Sequence, residues 1–182
     1  RALDLEDFHA DSPDGPFLSF KDRPETGTPL KNDWRSERNP PISNELATLI
    51  QDYIETNRIE SEDQHGRKPL LTTQYGRMQK TTIQRTIYGM TRPCAYGKEC
   101  PHDEDPATCE YADDYNEASK CESSRSPHTM RRGAATRTLN DGMPQDMVSD
   151  RMDMSPEVLN EHYNEQTEND KRRLQREFLD QL

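Results

Sequence analysis

Ser126-Pro127-His128-Thr129-Met130-Arg131-Arg132 is the stretch on which the reading of this chain turns. Serine followed by proline marks a helix start. The hydroxyl caps a free backbone N–H, and proline, which has none, suits the first helical position. Gly142 stands where such a helix would stop. His128 and Arg131 lie three residues apart and so share a helical face. The first turn of a helix also presents unpaired N–H groups, a natural seat for a phosphate. Alone, an H-x-x-R pair reads more simply as a surface histidine beside a salt-bridging arginine.

Outward from this stretch, helical signals recur. A short helix is expected from Pro144 to about Met152. Ser155 caps another, with Pro156 at its first position, running through Tyr163, which lies 163 − 131 = 32 residues past Arg131. A last amphipathic helix carries Leu174, Phe178 and Leu182. Upstream, Ser43 caps Asn44–Thr56, in which Leu46, Leu49, Ile50, Tyr53 and Ile54 fall at helical spacing. Lys80–Met90 reads as a helix with Ile83 and Ile87 on one face. Short strands are expected at Phe17–Lys21 and Leu70–Thr73, turns at Pro24–Lys31 and Tyr75–Arg77, and the tail of a helix over residues 1–8. The pattern predicts a mainly α fold with a small antiparallel β-sheet, an α+β class, as one domain over residues 1–182.

Composition narrows the physics. Only 29% of the residues are hydrophobic, against about 45–50% apolar, glycine included, in an ordinary domain. The core must be small, or something besides apolar burial must help hold the fold. The net charge of −11 reads as a surface adapted to high salt, with partial disorder as the rival. Acidity argues against nucleic acid as a default partner. In molar salt, however, repulsion is screened over about 3 Å, and local arginines could still grip phosphate. No stretch reaches the ~18 apolar residues of a membrane span. No signal peptide opens the sequence, so a cytoplasmic protein is expected. The chain starts at Arg1 without a methionine, so it is expected to be a piece of a longer protein.

Residues 93–125 change character: all four cysteines lie there, among acids and almost no aliphatic residues. The segment reads as an inserted loop. Cys94, Cys100, Cys109 and Cys121 are separated by 5, 8 and 11 residues. Four soft ligands suit a structural zinc site. Disulfides and free thiols are the alternatives, and His102 could replace one cysteine. The expected role is support rather than metal catalysis.

Taken together, H-x-x-R at a capped helix start, two short helices and then a tyrosine resemble the C-terminal signature of the tyrosine recombinases, or phage integrases. Met152-Asp153-Met154-Ser155-Pro156-Glu157-Val158 is similar to the family segment that precedes its tyrosine. Leu70–Lys80 looks like the family's strand, turn and helix, and residues 1–8 like the segment just past its first arginine box. A cysteine-bearing insert of this kind is similar to one in integrase-like proteins of salt-loving archaea.

The resemblance implies site-specific cleavage and rejoining of double-stranded DNA through a 3′-phosphotyrosine. Tyr163 would be the nucleophile, Arg131 the phosphate clamp, and His128 the group that shares the phenol proton. Lys31 would be the leaving-group acid, with Lys21 second. Arg132, Arg77 and Lys80 are the expected DNA contacts. It further implies a homo-oligomer on DNA, the C-terminal helix docking on a neighbouring copy, and no catalytic cofactor. Two departures stand out. The family's first arginine would fall before residue 1, so the fragment is expected to be inactive alone. Asp153 occupies the place usually held by His or Trp. The competing readings are a catalytically decayed DNA-binding protein on the same fold and a zinc-stapled protein-interaction module.

Overall fold

The computed structural model describes residues 2–163 and 167–180, except for the side chains of 161–163, 170 and 174. The chain divides into two compact units, Arg1–Ile83 and Gln84–Leu182.

In the first unit a 3-10 turn, Leu5–Asp7, runs into β1 (Phe8–His9). β1 pairs antiparallel with β2 (Phe17–Leu18), placing Phe8 opposite Leu18 and His9 opposite Phe17. The His9 ring stacks on Phe17 with centroids 4.3 Å apart. Residues 2–8 do not form the expected helix tail, because their backbone groups are taken elsewhere. The Leu5 N–H donates to the Lys68 carbonyl at 2.9 Å, and the Leu70 N–H to that of Leu3 at 3.0 Å.

Helix α1 (Asn44–Thr56) starts where its capping serine indicates, with the Ser43 hydroxyl accepting the Leu46 N–H at 3.2 Å. The Tyr53 hydroxyl accepts the Thr72 N–H at 3.2 Å. That bond ties α1 to a hairpin of β3 (Thr72–Thr73) and β4 (Gly76–Arg77). Among the described residues the sheets are therefore two, each two-stranded and antiparallel.

The first unit buries few aliphatic side chains, Ala47 and Leu70 among them, yet Asp4 and Asp7 are only 1% and 2% exposed. Asp4 meets three guanidinium groups. Arg67 donates through Nε at 2.7 Å and through Nη2, Arg77 donates through Nη2 at 2.6 Å, and Arg23 Nη1 stands at 3.8 Å. Arg23 straddles Asp7 with bonds of 2.7 and 3.0 Å, and Arg77 also reaches Asp63 at 2.9 Å. Asp4, Asp7 and Asp63, with the exposed Glu6 on Arg23 at 3.0 Å as a fourth carboxylate, thus face three guanidiniums. Burial of charge is tolerable under that condition, since each ion's lost hydration is replaced by a partner and directed hydrogen bonds.

Helix α2 (Lys80–Met90) leads into the second unit. The 93–125 segment comes next as a 3-10 turn at Pro93–Tyr96, the short helix α3 (Glu110–Asp113) and a second 3-10 turn at Ala118–Lys120. Then come α4 (Pro127–Asn140), α5 (Gln145–Met152) and α6 (Pro156–Tyr163). These three pack on one another around Ala135, Leu139, Val148 and Leu159, rimmed by Met143, Met152 and Met154. Helix α7 (Glu168–Leu179) exposes Phe178 and Leu179. Of the expected amphipathic face, Leu182 and the Leu174 side chain lie outside the described residues. Among the described residues, no helix is long and apolar enough to cross a membrane.

Burial pushes the Asp63 carboxyl up. The Arg77 hydrogen bond and the N–H groups of Arg67 and His65 outweigh it and hold the group at about 2, below its ordinary 3.8. A depressed carboxylate stabilises the fold above its unfolded value, and that stability fades as pH falls towards 2. Denaturant titrations at pH 4 and pH 2 are expected to show wild type losing about 1–2 kcal/mol more than Asp63→Asn. Equal losses would remove Asp63 from the network's energetics. At neutral pH, Asp4→Asn is expected to cost about 3–5 kcal/mol, because it strands buried arginines; a neutral effect in the same titration would contradict this.

Candidate active site

The start of α4 is built as its sequence indicates. The Ser126 hydroxyl accepts the Thr129 N–H at 3.1 Å and sits 3.0 Å from the Thr129 hydroxyl, with Pro127 at the first position. This cap aims the first turn outward, and His128 is exposed there. Arg131, one turn on, is half-buried. Its Nη2 donates to the carbonyls of Met152 and Asp153, the latter at 3.0 Å.

That contact has a structural cause. Asp153 ends α5 in a left-handed conformation, φ 49°. Carbonyls at a helix end lack intrahelical partners, and the Arg131 guanidinium supplies a charged donor to two of them. Arg131 therefore joins the helix bearing His128 to the turn that launches α6. Tyr163 is the last residue of α6. Its backbone is placed, but its side chain lies outside the described residues, so the expected approach of its hydroxyl to His128 and Arg131 does too. In the first turn of α6, Glu157 is held below the ordinary carboxylate value by its own backbone N–H and the Ser155 hydroxyl.

The other expected site residues fall on both units. Arg132 is exposed on α4. In the first unit, Lys31 is exposed on a turn shortly after the Arg23–Thr28 bridge, and Lys21 stands 3.7 Å from the Glu37 carboxylate. Lys80 is exposed at the start of α2. Arg77, expected to meet DNA, is instead 11% exposed and bonded to Asp4, Asp63 and the Leu3 carbonyl. Half-buried, its guanidinium is engaged by these structural partners.

All four cysteines are unpaired thiols, half-buried. They line a single cavity of about 160 Å³ together with His102 and Arg92. Among the described residues, no three His, Cys, Asp or Glu side chains already stand in a metal-holding group. Sequence reasoning missed Arg92 altogether. One guanidinium nitrogen beside a cysteine cavity has no local signature.

With this geometry in view, the fold can be compared with solved proteins. The chain is similar to the crystal structure of XerA recombinase, with a TM-score of 0.58 at 13% sequence identity, covering 97% of this chain and 49% of that one. The architecture is recombinase-like. At such low identity the likeness establishes the fold alone, an α+β arrangement resembling a recombinase catalytic domain. The chain spans about half the length of XerA. No family model and no curated protein sequence matches it.

Arg131 and His128 should separate in a stability assay. Arg131→Ala strips the Met152 and Asp153 carbonyls of their donor and is expected to cost about 1–3 kcal/mol in urea denaturation. His128→Ala, at an exposed position, should stay within about 0.5 kcal/mol. Equal effects would mean that Arg131 does not organise the α5–α6 turn.

Proposed function

We propose that this chain is the catalytic part of a DNA strand-transfer enzyme of the tyrosine-recombinase type. One observation carries the reading. On a recombinase-like fold, a capped helix start presents His128 and Arg131, and Arg131 is keyed to the turn before the helix that ends in Tyr163.

The chemistry asked of these groups is coherent. The Tyr163 phenol oxygen attacks phosphorus, the bond to the 5′ oxygen breaks, and a 3′-phosphotyrosine forms. The new ester keeps the bond energy for rejoining. A free phenol, ionising near 10, is about one part in a thousand phenolate at pH 7. That shortfall of about 4 kcal/mol calls for a proton acceptor, and His128 is suited to the role. Arg131 has the planar fork that grips two phosphoryl oxygens, and one such donor typically supplies about 3–4 kcal/mol of barrier lowering. The departing 5′ oxygen needs a proton, and Lys31 is the lysine we assign to it. Arg132 and Lys80, both exposed, are the proposed phosphate contacts, and double-stranded DNA, bound by several copies of the parent protein, is the partner.

Asp153 favours a second reading. An ionised carboxylate cannot donate the hydrogen bond that His or Trp would offer a phosphate. The same fold could then bind DNA without cutting it.

The parent protein, incubated with nicked duplexes selected for binding, is expected to form a denaturant-stable protein–DNA adduct that disappears in Tyr163→Phe. An adduct that survives the substitution would refute Tyr163 as nucleophile. Tight binding with no adduct in wild type would favour the non-cutting reading.

A further inference from the structure

The 93–125 segment has little of its own to hold it. Of its described side chains, Ala118 is the buried apolar one. Its ends, by contrast, are pinned. The Arg125 N–H donates to the Thr91 hydroxyl at 2.8 Å, and the Ser124 hydroxyl to the Tyr88 carbonyl at 2.9 Å. Midway, the hydroxyls of Thr86 and Tyr115 stand 2.7 Å apart. A closed loop of this length with no apolar centre needs another source of order.

Four thiols spread over residues 94–121 converge on one cavity. Arg92 lines the same cavity. Its Nε is fixed on the Gly89 carbonyl at 3.1 Å, while its Nη1 is buried with no hydrogen-bond partner among the described residues. A buried guanidinium N–H left unpaired has lost its hydration with nothing in exchange, which is unfavourable until an acceptor is supplied. A cation with a vacant donor, against a pocket walled by sulfur, is the complement of an anionic sulfur centre.

We propose that Cys94, Cys100, Cys109 and Cys121 bind one zinc ion as four thiolates, and that Arg92 donates to this centre from outside the coordination sphere. The four thiolates and the ion sum to a charge of −2, which the Arg92 cation partly neutralises. Each thiol gives up its proton on binding, so affinity falls as pH falls. His102 is not a ligand. It is exposed, with its Nε2 2.8 Å from the Ser123 hydroxyl and its Nδ1 3.8 Å from the Glu122 carboxylate. Coordination requires every sulfur about 2.3 Å from the metal, so binding draws the cavity closed and contracts the loop. The loop re-enters helix at Ser126, which ties its order to the turn that presents His128. The proposal stands independently of DNA chemistry and is tested without DNA.

The reduced 182-residue chain, stripped by chelator, would be titrated with Co²⁺ and then Zn²⁺. One equivalent of Co²⁺ is expected to give sulfur-to-cobalt charge-transfer bands and strong tetrahedral d–d bands, bleached by one equivalent of Zn²⁺. His102→Gln should leave the spectrum unchanged. Arg92→Gln should keep its shape but weaken affinity about 10–100-fold, the usual effect of removing an outer partner of a metal site. Cys109→Ser should lose the four-sulfur spectrum. Should that variant misfold, alkylation of the unsubstituted chain replaces it, with Zn²⁺ expected to protect four thiols. Absence of bands, no protection, or loss of the bands in His102→Gln would overturn the tetrathiolate assignment. Unchanged affinity in Arg92→Gln would overturn the role of Arg92.

Discussion

Asp4 takes the charge of three arginines at a site almost closed to water, and the first unit is organised around that fact. Its partners come from distant parts of the chain: Arg23 from beyond β2, Arg67 and Arg77 from either side of β3. A carboxylate so placed does what a cluster of leucines does elsewhere, gathering segments remote in sequence. It acts differently, however. Apolar burial is tolerant of direction, whereas guanidinium–carboxylate contacts demand both geometry and charge balance. The consequence is a unit specified by a few bonds and sensitive to the loss of any one.

The low apolar content of the chain makes sense in this light. With 29% hydrophobic residues, aliphatic packing is concentrated where helices meet, at Ala135, Leu139, Val148 and Leu159. Elsewhere polar devices substitute for it: an ion network in the first unit and, on our reading, a metal in the second. Both exclude water through directed bonds rather than area.

Much of this was legible in local sequence. The caps at Ser43 and Ser126 and the limits of α1, α2, α4 and α6 come from hydroxyl chemistry, proline and helical spacing, and all act within a few residues. The features that escaped were long-range. Arg67 and Arg77 find Asp4 across 63 and 73 residues, and no periodicity marks an ion pair of that span. For the same reason nothing local marks Arg77, expected to contact DNA, as a partner of Asp4 and Asp63. Arg131 was singled out for phosphate, while its grip on the Met152 and Asp153 carbonyls depends on how α5 ends, which only the folded backbone shows. The strand expected at Phe17–Lys21 is shorter, β2 ending at Leu18 and Phe20 meeting Arg38 through an isolated bridge.

One detail of the α4–α5–α6 packing bears on motion. Among the described side chains of α6, Leu159 alone is buried, and the residues rimming its pocket include Met143, Met152 and Met154. Thioether chains adapt to a shifting neighbour at little cost. Burying one leucine contributes on the order of 2–3 kcal/mol, so a single side chain carries most of the apolar anchoring in the described part of α6. What holds the far end of α6 in register is therefore one apolar anchor together with the Arg131 bonds at the turn that launches the helix.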